Sequence, residues 1–180
     1  MQQNLKYLTP ASLMILRFLS DDPMKEFYQR EVAKRAGISV GATNQILRIL
    51  TEREIVTREK RGRMFFYQYN LQNPVARYLK IFLNINELYE LVRELKQHCK
   101  RVLLFGSAAE GNDVKESDFD LFVLTDDKEK AHSIINRYKS EIGRKISPIV
   151  LNAREFVELR SKDKPLYAQI LRGIPLWQVE

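Results

Sequence analysis

Between residues 102 and 124 the chain reads VLLF-GS-AAEGNDVKE-SDFD-LFVL, and that run narrows the folds open to it more than any other stretch. The apolar segments 102–105 and 121–124 have the length and composition of short buried strands. Between them lie Gly106-Ser107, a polar loop, and Ser117-Asp118-Phe119-Asp120. Alternate residues of a strand share a face, so Asp118 and Asp120 point one way while Phe119 points into the core. Two carboxylates about 7 Å apart on one face are costly unless a cation or water answers them. A divalent metal with room for phosphate oxygens answers that charge. Gly106 lets backbone approach a phosphate closely, and Ser107 offers a hydroxyl and an amide where the next helix starts.

The first half carries a different pattern. Residues 11–20 place Leu13, Leu16 and Phe18 among apolar neighbours, which predicts a buried helix entered after Pro10 and ended by Asp21-Asp22-Pro23. Residues 29–36 predict a second helix with Val32, Ala33 and Ala36 on one side, stopped by Gly37. Ser39 is placed to cap a third, running to about Arg53 with Ile46, Leu47 and Leu50 apolar. Residues 55–71 then read as a hairpin turning at Lys60-Arg61-Gly62-Arg63.

Net charge sharpens this reading. The chain carries +7, and residues 1–74 hold 12 Lys/Arg against 7 Asp/Glu while residues 75–180 hold 18 against 16. The basic excess lies in the half with the helices and hairpin, as a polyanionic partner requires.

Helix, glycine-containing turn, helix and basic hairpin in that order resemble the winged helix-turn-helix regulators of bacteria and archaea. Ser39-Val40-Gly41 with Leu47 and Leu50 carries the resemblance, which spans about residues 8–72. It implies binding to double-stranded DNA. With Thr43, Leu47 and Leu50 facing inward, Val40, Gly41, Asn44, Gln45 and Arg48 face out beside Ser39. Asn44 and Gln45 suit adenine edges, and Arg48 suits guanine or phosphate. Arg61 and Arg63 at the hairpin tip suit phosphate or minor-groove contact.

From Pro74 to about Cys99, apolar residues at steps of three and four (Val75, Tyr78, Leu79, Phe82, Ile85, Leu88, Tyr89, Val92 and Leu95) predict one connecting helix. Ile81, Leu83 and Leu91 widen the stripe beyond what one neighbouring domain needs. Two roles stay open: core for the second domain, and contact with another subunit in a homodimer.

The run GSAAEGNDVKESDFDLFVL, with the ending LRGIPLW, resembles the minimal nucleotidyltransferases of the DNA polymerase beta superfamily over about residues 100–178. The resemblance implies that Gly106, Ser107 and Ser117 hold a nucleoside triphosphate, ATP foremost, and that Asp118 and Asp120 are the catalytic ligands of Mg2+, the expected cofactor. Active members supply a third carboxylate from the next core strand. In KISPIVL, residues 145–151, that position falls at Ser147, and the strand holds no acid at all. The loop after Gly106-Ser107 has Ala108, Ala109 and Glu110 where arginine is common. Asp126 and Asp127 read instead as caps of the following helix.

The expected architecture is α+β in two domains. A winged helix-turn-helix covers residues 1–73 and a connecting helix 74–99. A nucleotidyltransferase-like mixed sheet with flanking helices covers 100–180. Two functions stay open: transfer of a nucleoside monophosphate from NTP-Mg to an acceptor hydroxyl, and regulation by a weak or inactive nucleotidyltransferase fold. Members of the resembled family also act as antitoxins beside a HEPN-type ribonuclease, which makes such a protein an expected partner. No apolar run reaches the length of a membrane span, and the first ten residues lack a secretory pattern, so the expected location is cytoplasmic. One cysteine and two histidines leave no disulfide and no zinc site.

Overall fold

A computed structural model describes residues 5–179; residues 1–4 and 180, which belong to the expected domain spans, lie outside the described residues. The chain divides into two compact units between Lys80 and Ile81.

In the first unit, α1 (Pro10–Asp21) starts one residue earlier than expected. Pro10 sits in its first turn, and Thr9 and Ser12 cap each other reciprocally. Its inward face is Ile15, Leu16 and Leu19, whereas Leu13 and Phe18 are only half-buried. A two-residue strand that the sequence reading lacked, β1 (Phe27–Tyr28), precedes α2 (Gln29–Ala36). Gly37 ends α2 at φ +67, its N–H reaching back to the Ala33 and Lys34 carbonyls. The Ser39 hydroxyl accepts from the Ala42 N–H and opens α3 (Val40–Glu52). Strands β2 (Val56–Arg61) and β3 (Met64–Tyr69) complete an antiparallel sheet of order β1-β3-β2. Arg61 pairs with Met64, so the turn is Gly62-Arg63, with Gly62 at φ +61. Tyr67 and Tyr69 supply the inward parity of β3; Met64, Phe66 and Gln68 take the other.

The helix expected to run unbroken from Pro74 to Cys99 is two: α4 (Pro74–Glu87) and α5 (Tyr89–Leu95). At the junction the Leu88 N–H bonds to the Ile85 carbonyl, a tighter i→i−3 turn that breaks the α-ladder. Of the expected stripe, Leu88 and Leu95 are buried together with Leu91, while Val75, Tyr78, Phe82 and Tyr89 are exposed. Ala76, Ile81 and Leu83 are buried as well, so burial does not follow the expected stripe.

The second unit continues with β4 (Arg101–Phe105), α6 (Gly106–Glu110), β5 (Phe119–Leu124), α7 (Lys128–Tyr138), β6 (Ile146–Leu151), α8 (Ala153–Lys162), α9 (Lys164–Leu171) and β7 (Ile174–Gln178). The strands form one mixed sheet of order β6-β5-β4-β7; β5 and β6 are parallel and the other pairs antiparallel. Val102, Leu104, Phe119, Leu121 and Val123 pack on one side with Leu88, Leu91 and Leu95 from the α4–α5 segment and with Ile134 and Ile135 of α7. Leu103, Phe105 and Phe122 pack on the other with Ile170 of α9. Strand parity therefore sends Asp120 to the same side as Phe122, toward α9. Gly173 makes the return from α9 to β7 possible: a Cβ there would lie 2.7 Å from the Leu104 carbonyl oxygen. Pro148 is accommodated because β6 is an edge strand, where a missing N–H breaks no ladder on the open side.

Candidate functional site

Phe105 ends β4 opposite Asp120 of β5, which brings Gly106 directly against the Asp120 carboxylate. Gly106 has φ +70, and a Cβ on it would collide with Asp120 Oδ2 and lie 3.2 Å from Asp120 Cγ. Only glycine satisfies both demands, so the sequence pair Gly-Ser and Asp-x-Asp is one structural object. Gly106→Ala should cost ~1–2 kcal/mol through the left-handed backbone alone and displace the carboxylate besides. Thermal melting and nucleotide titration check this; unchanged binding would mean that the close approach serves no ligand.

The two carboxylates live in different surroundings. Asp118 Oδ2 accepts from Lys145 Nζ at 2.8 Å and from Ser147 Oγ at 2.6 Å. Those donors, Lys145 foremost, hold its carboxyl below the usual carboxylate range. Asp120 is half-buried, and burial, aided by the charge of Asp118, pushes its carboxyl up. It receives no hydrogen bond or ion pair among the described residues. Ser147, across the parallel β5–β6 ladder from Asp120, occupies the place where the sequence reading sought a third acid. Among the described residues no group of three or more His, Cys, Asp or Glu side chains gathers around a common point.

Asp120, Lys145 and Ser147 line an open cleft of about 510 Å³, bounded by Phe105, Pro148, Leu166 and Gln169. Gln169 also lines a second hollow of about 320 Å³, whose other walls include Gly106, Glu110, Arg172 and Gly173. Lys145, Gln169 and Arg172 escaped the sequence reading. Lys145 lies two residues before Ser147 and was legible as a neighbour of the expected third acid. Gln169 and Arg172 reach the site only because α9 folds back over it, and no local spacing announces that.

The loop between Gly106 and Asp118 is fixed from beneath. Arg144 is buried and donates to Asp113 Oδ2 at 2.6 Å, twice to the Ser117 carbonyl at 3.0 and 2.8 Å, and to Asn84 Oδ1 at 3.4 Å. Its guanidinium also lies 4.2 Å from the Phe119 ring centroid. Asn84 donates to the Ala108 carbonyl and to Asp113 Oδ1. Ser117, expected at the nucleotide, has its hydroxyl turned to the loop, where it accepts from the Val114 N–H. Ser107 is half-buried in the first turn of α6 beside Gly106. Asp127 caps α7 through the Lys130 N–H, as expected, while Asp126 pairs with Lys100.

In the first unit Thr43, Leu47 and Leu50 are buried, and Ser39, Val40, Gly41, Asn44, Gln45 and Arg48 are exposed on the opposite face of α3. Arg48 pairs with Glu52 at 3.1 Å, with both side chains largely in water, so the pair is weak and displaceable. Arg63 is exposed at the hairpin turn and, with Arg30, Gln29 and Phe65, lines a groove of about 380 Å³. Arg30 is a second residue missed from sequence. Arg61 is placed otherwise: it ends β2, and its fork is filled by Glu26, at 2.7 and 2.8 Å, and by Glu59. Both carboxylates push its pKa further up. No described helix is long and apolar enough to cross a membrane.

Known proteins resemble parts of this chain. Protein adenylyltransferase MntA of Shewanella oneidensis is 29% identical over 96 residues, 53% of this chain and 66% of that relative, so just under two thirds of it is spanned. Lactococcus lactis ZitR, solved as a mutant in complex with DNA, aligns at TM-score 0.39 and 17% identity over 53% of this chain and 64% of its own. The adhesin competence repressor AdcR of Streptococcus pyogenes aligns at 0.38 and 15% over 96% and 87%. Both scores are too low to establish a shared fold. The family model described as "Polymerase beta, Nucleotidyltransferase" matches residues 84–179, the stretch from Asn84 of the loop clamp to the end of β7. The chain belongs to the polymerase beta nucleotidyltransferase family.

Proposed function

We propose that the second unit transfers a nucleoside monophosphate from a triphosphate to an acceptor hydroxyl, with ATP as donor and a protein as the first acceptor to try. The observation that carries this is the placement of Gly106 against Asp120, which lines a cleft together with Lys145 and Ser147, the two donors to Asp118. The name of the adenylyltransferase relative supports the choice of adenylyl group and acceptor class. In the reaction the acceptor oxygen bonds to the α-phosphorus, the bond from that phosphorus to the β-phosphate bridge breaks, and pyrophosphate leaves with the acceptor's proton released.

The donor set fits magnesium. Asp120, a half-buried carboxylate without a donor of its own among the described residues, stands beside Asp118 and the Ser147 hydroxyl, and Mg2+ is held by one or two carboxylates plus phosphate oxygens. Bound there, the ion would neutralise the charge that builds on the phosphate oxygens as pyrophosphate departs. Gly106 and the start of α6 would cradle the phosphates, and Arg172, across the hollow from Gly106, would supply the positive charge missing after Gly106-Ser107. The experiment is incubation with labelled nucleotides and candidate acceptors. Label retained on a protein and lost in Asp118→Asn supports the reading, and label on none argues for the weak or inactive fold.

That second reading is favoured by one observation: Ser147, where the resemblance places another acid, is a neutral hydroxyl that donates to Asp118. A chain of this kind would sense nucleotide or act as an antitoxin beside a HEPN-type ribonuclease. The exposed Val75, Tyr78 and Phe82 of α4 would serve a homodimer contact.

The first unit we read as a winged helix-turn-helix domain that binds double-stranded DNA, with α3 entering the major groove and the β2–β3 hairpin as the wing. Exposure of Asn44, Gln45 and Arg48 on one face of α3 supports this. Gln45→Ala or Arg48→Ala should cost ~1–3 kcal/mol on a selected site and little on random DNA. Arg63→Ala should lower the salt slope by about one unit on all sequences, as loss of one phosphate contact does. Arg61→Ala should do less, since Glu26 and Glu59 already hold its fork. Equal slopes in native and Arg63→Ala protein would remove the hairpin from the interface.

A further inference from the structure

We infer that Lys145 is a built-in cation of the nucleotidyl-transfer cleft, which holds Asp118 so that the site takes one divalent ion, through Asp120, rather than two. This rests on the reading of the cleft as a nucleotide site and adds the charge arrangement within it.

A site with three carboxylates carries three negative charges and can hold two divalent ions with a triphosphate. Here the third acid is a serine, and its neighbour two positions earlier is a lysine whose ammonium lies 2.8 Å from Asp118 Oδ2. Ser147 Oγ lies 2.6 Å from the same oxygen, so that carboxylate oxygen is engaged twice, by Ser147 of β6 and by Lys145 just before the strand. Two carboxylates and one ammonium leave a single net negative charge, which one divalent ion and a polyphosphate satisfy. Asp120 is the acid left for that ion: it faces the cleft with Lys145 and Ser147 and has no donor among the described residues.

The lysine is not locked in place. Its side chain is 74% exposed, and an ion pair that open to water is worth little. Its effect on the ion count therefore comes from the positive charge it keeps beside Asp118, not from the strength of the contact. Its position at the lip of the cleft also lets the ammonium exchange Asp118 for a phosphate oxygen when a nucleotide enters.

The test counts ions and does not depend on turnover. Mn2+ binding is followed by electron paramagnetic resonance in the native chain, Lys145→Met, Asp118→Asn and the double variant, each with and without a non-hydrolysable ATP analogue. The native chain should hold one Mn2+. Lys145→Met should tighten Mn2+ about five- to tenfold, the effect of freeing one exposed ion pair and removing one adjacent like charge. That gain should vanish when Asp118 is already asparagine, because the lysine acts through that carboxylate. Two ions in the native chain, no gain in Lys145→Met, or an equal gain in the Asp118→Asn background would overturn the assignment. A native chain that takes up the analogue with Mn2+ but shows no Asp118-dependent gain sinks the lysine alone. If no variant takes up Mn2+ or the analogue, the nucleotide reading falls with it. With its side chain that far in water, Lys145→Met should melt like the native chain.

Discussion

Asp120→Asn should abolish magnesium-dependent nucleotide binding while leaving the fold at least as stable as before. The two effects have one cause. Asp120 is half-buried beside another carboxylate and receives no hydrogen bond among the described residues, so its charged form is disfavoured and its pKa is raised. A carboxyl whose folded-state pKa is raised destabilises the fold when ionised, from its ordinary pKa upward in pH. A neutral amide of the same shape relieves that wherever the native acid is charged. The same amide is a poor ligand for a hard cation. Calorimetry with Mg2+ and each nucleoside triphosphate, beside thermal melting, reads both halves. Any transfer activity should fall by more than the ~10²–10³-fold that one fixed transition-state donor is worth. Magnesium-dependent binding that persists in Asp120→Asn would remove this residue from the site. Asp118→Asn differs in kind, because it also releases Lys145 and Ser147, so the pair of variants separates a ligand from a hub.

What was legible in the sequence follows from how local the cause was. Gly37 and Ser39 act within one turn of chain, and they stop and cap helices where the residues said they would. Strand alternation set the faces of Phe119 and Asp120, and Ser147 fell opposite Asp120 because β5 and β6 are parallel neighbours. Errors arose where tertiary packing outvotes pattern. The apolar steps from Val75 to Leu95 look uniform, yet the i→i−3 turn at Leu88 and selective burial split them. Strand β1 is too short to carry a period and exists only as a partner of β3. Arg61 reads as a basic hairpin tip, but a one-residue shift of the turn puts it on a strand beside Glu26, far away in sequence. Ser117 reads as a phosphate ligand; its hydroxyl accepts from the Val114 N–H of its own loop, a contact that no local spacing announces.

The least legible part of the site is also the one whose loss should cost the fold most. Arg144→Met should destabilise the second unit by about 3–5 kcal/mol, the usual consequence of removing one partner from a buried charge pair. The side chains of Arg144 and Asp113 are 3% and 1% exposed, so water cannot replace what either loses. By contrast Lys128→Met, which removes an ion pair to Glu155 at 40% and 37% exposure, should cost under about 1 kcal/mol. Methionine keeps much of the volume against Phe119, so the difference reports charge and hydrogen bonds rather than a cavity. Adding Asp113→Asn to Arg144→Met should recover part of the loss, since an uncharged amide tolerates burial better than a carboxylate; additive losses would mean that the two do not act as a pair. The consequence for the site follows from the Ser117 carbonyl, which receives two of Arg144's hydrogen bonds immediately before Asp118. Freed from them, the loop from Gly111 to Ser117 no longer fixes Asp118 beside Asp120. Nucleotide affinity in Arg144→Met should therefore fall even at temperatures where the unit is still folded. Native affinity in a folded Arg144→Met protein would show that the β5–β6 ladder alone positions Asp118, and that the buried arginine serves stability and nothing more.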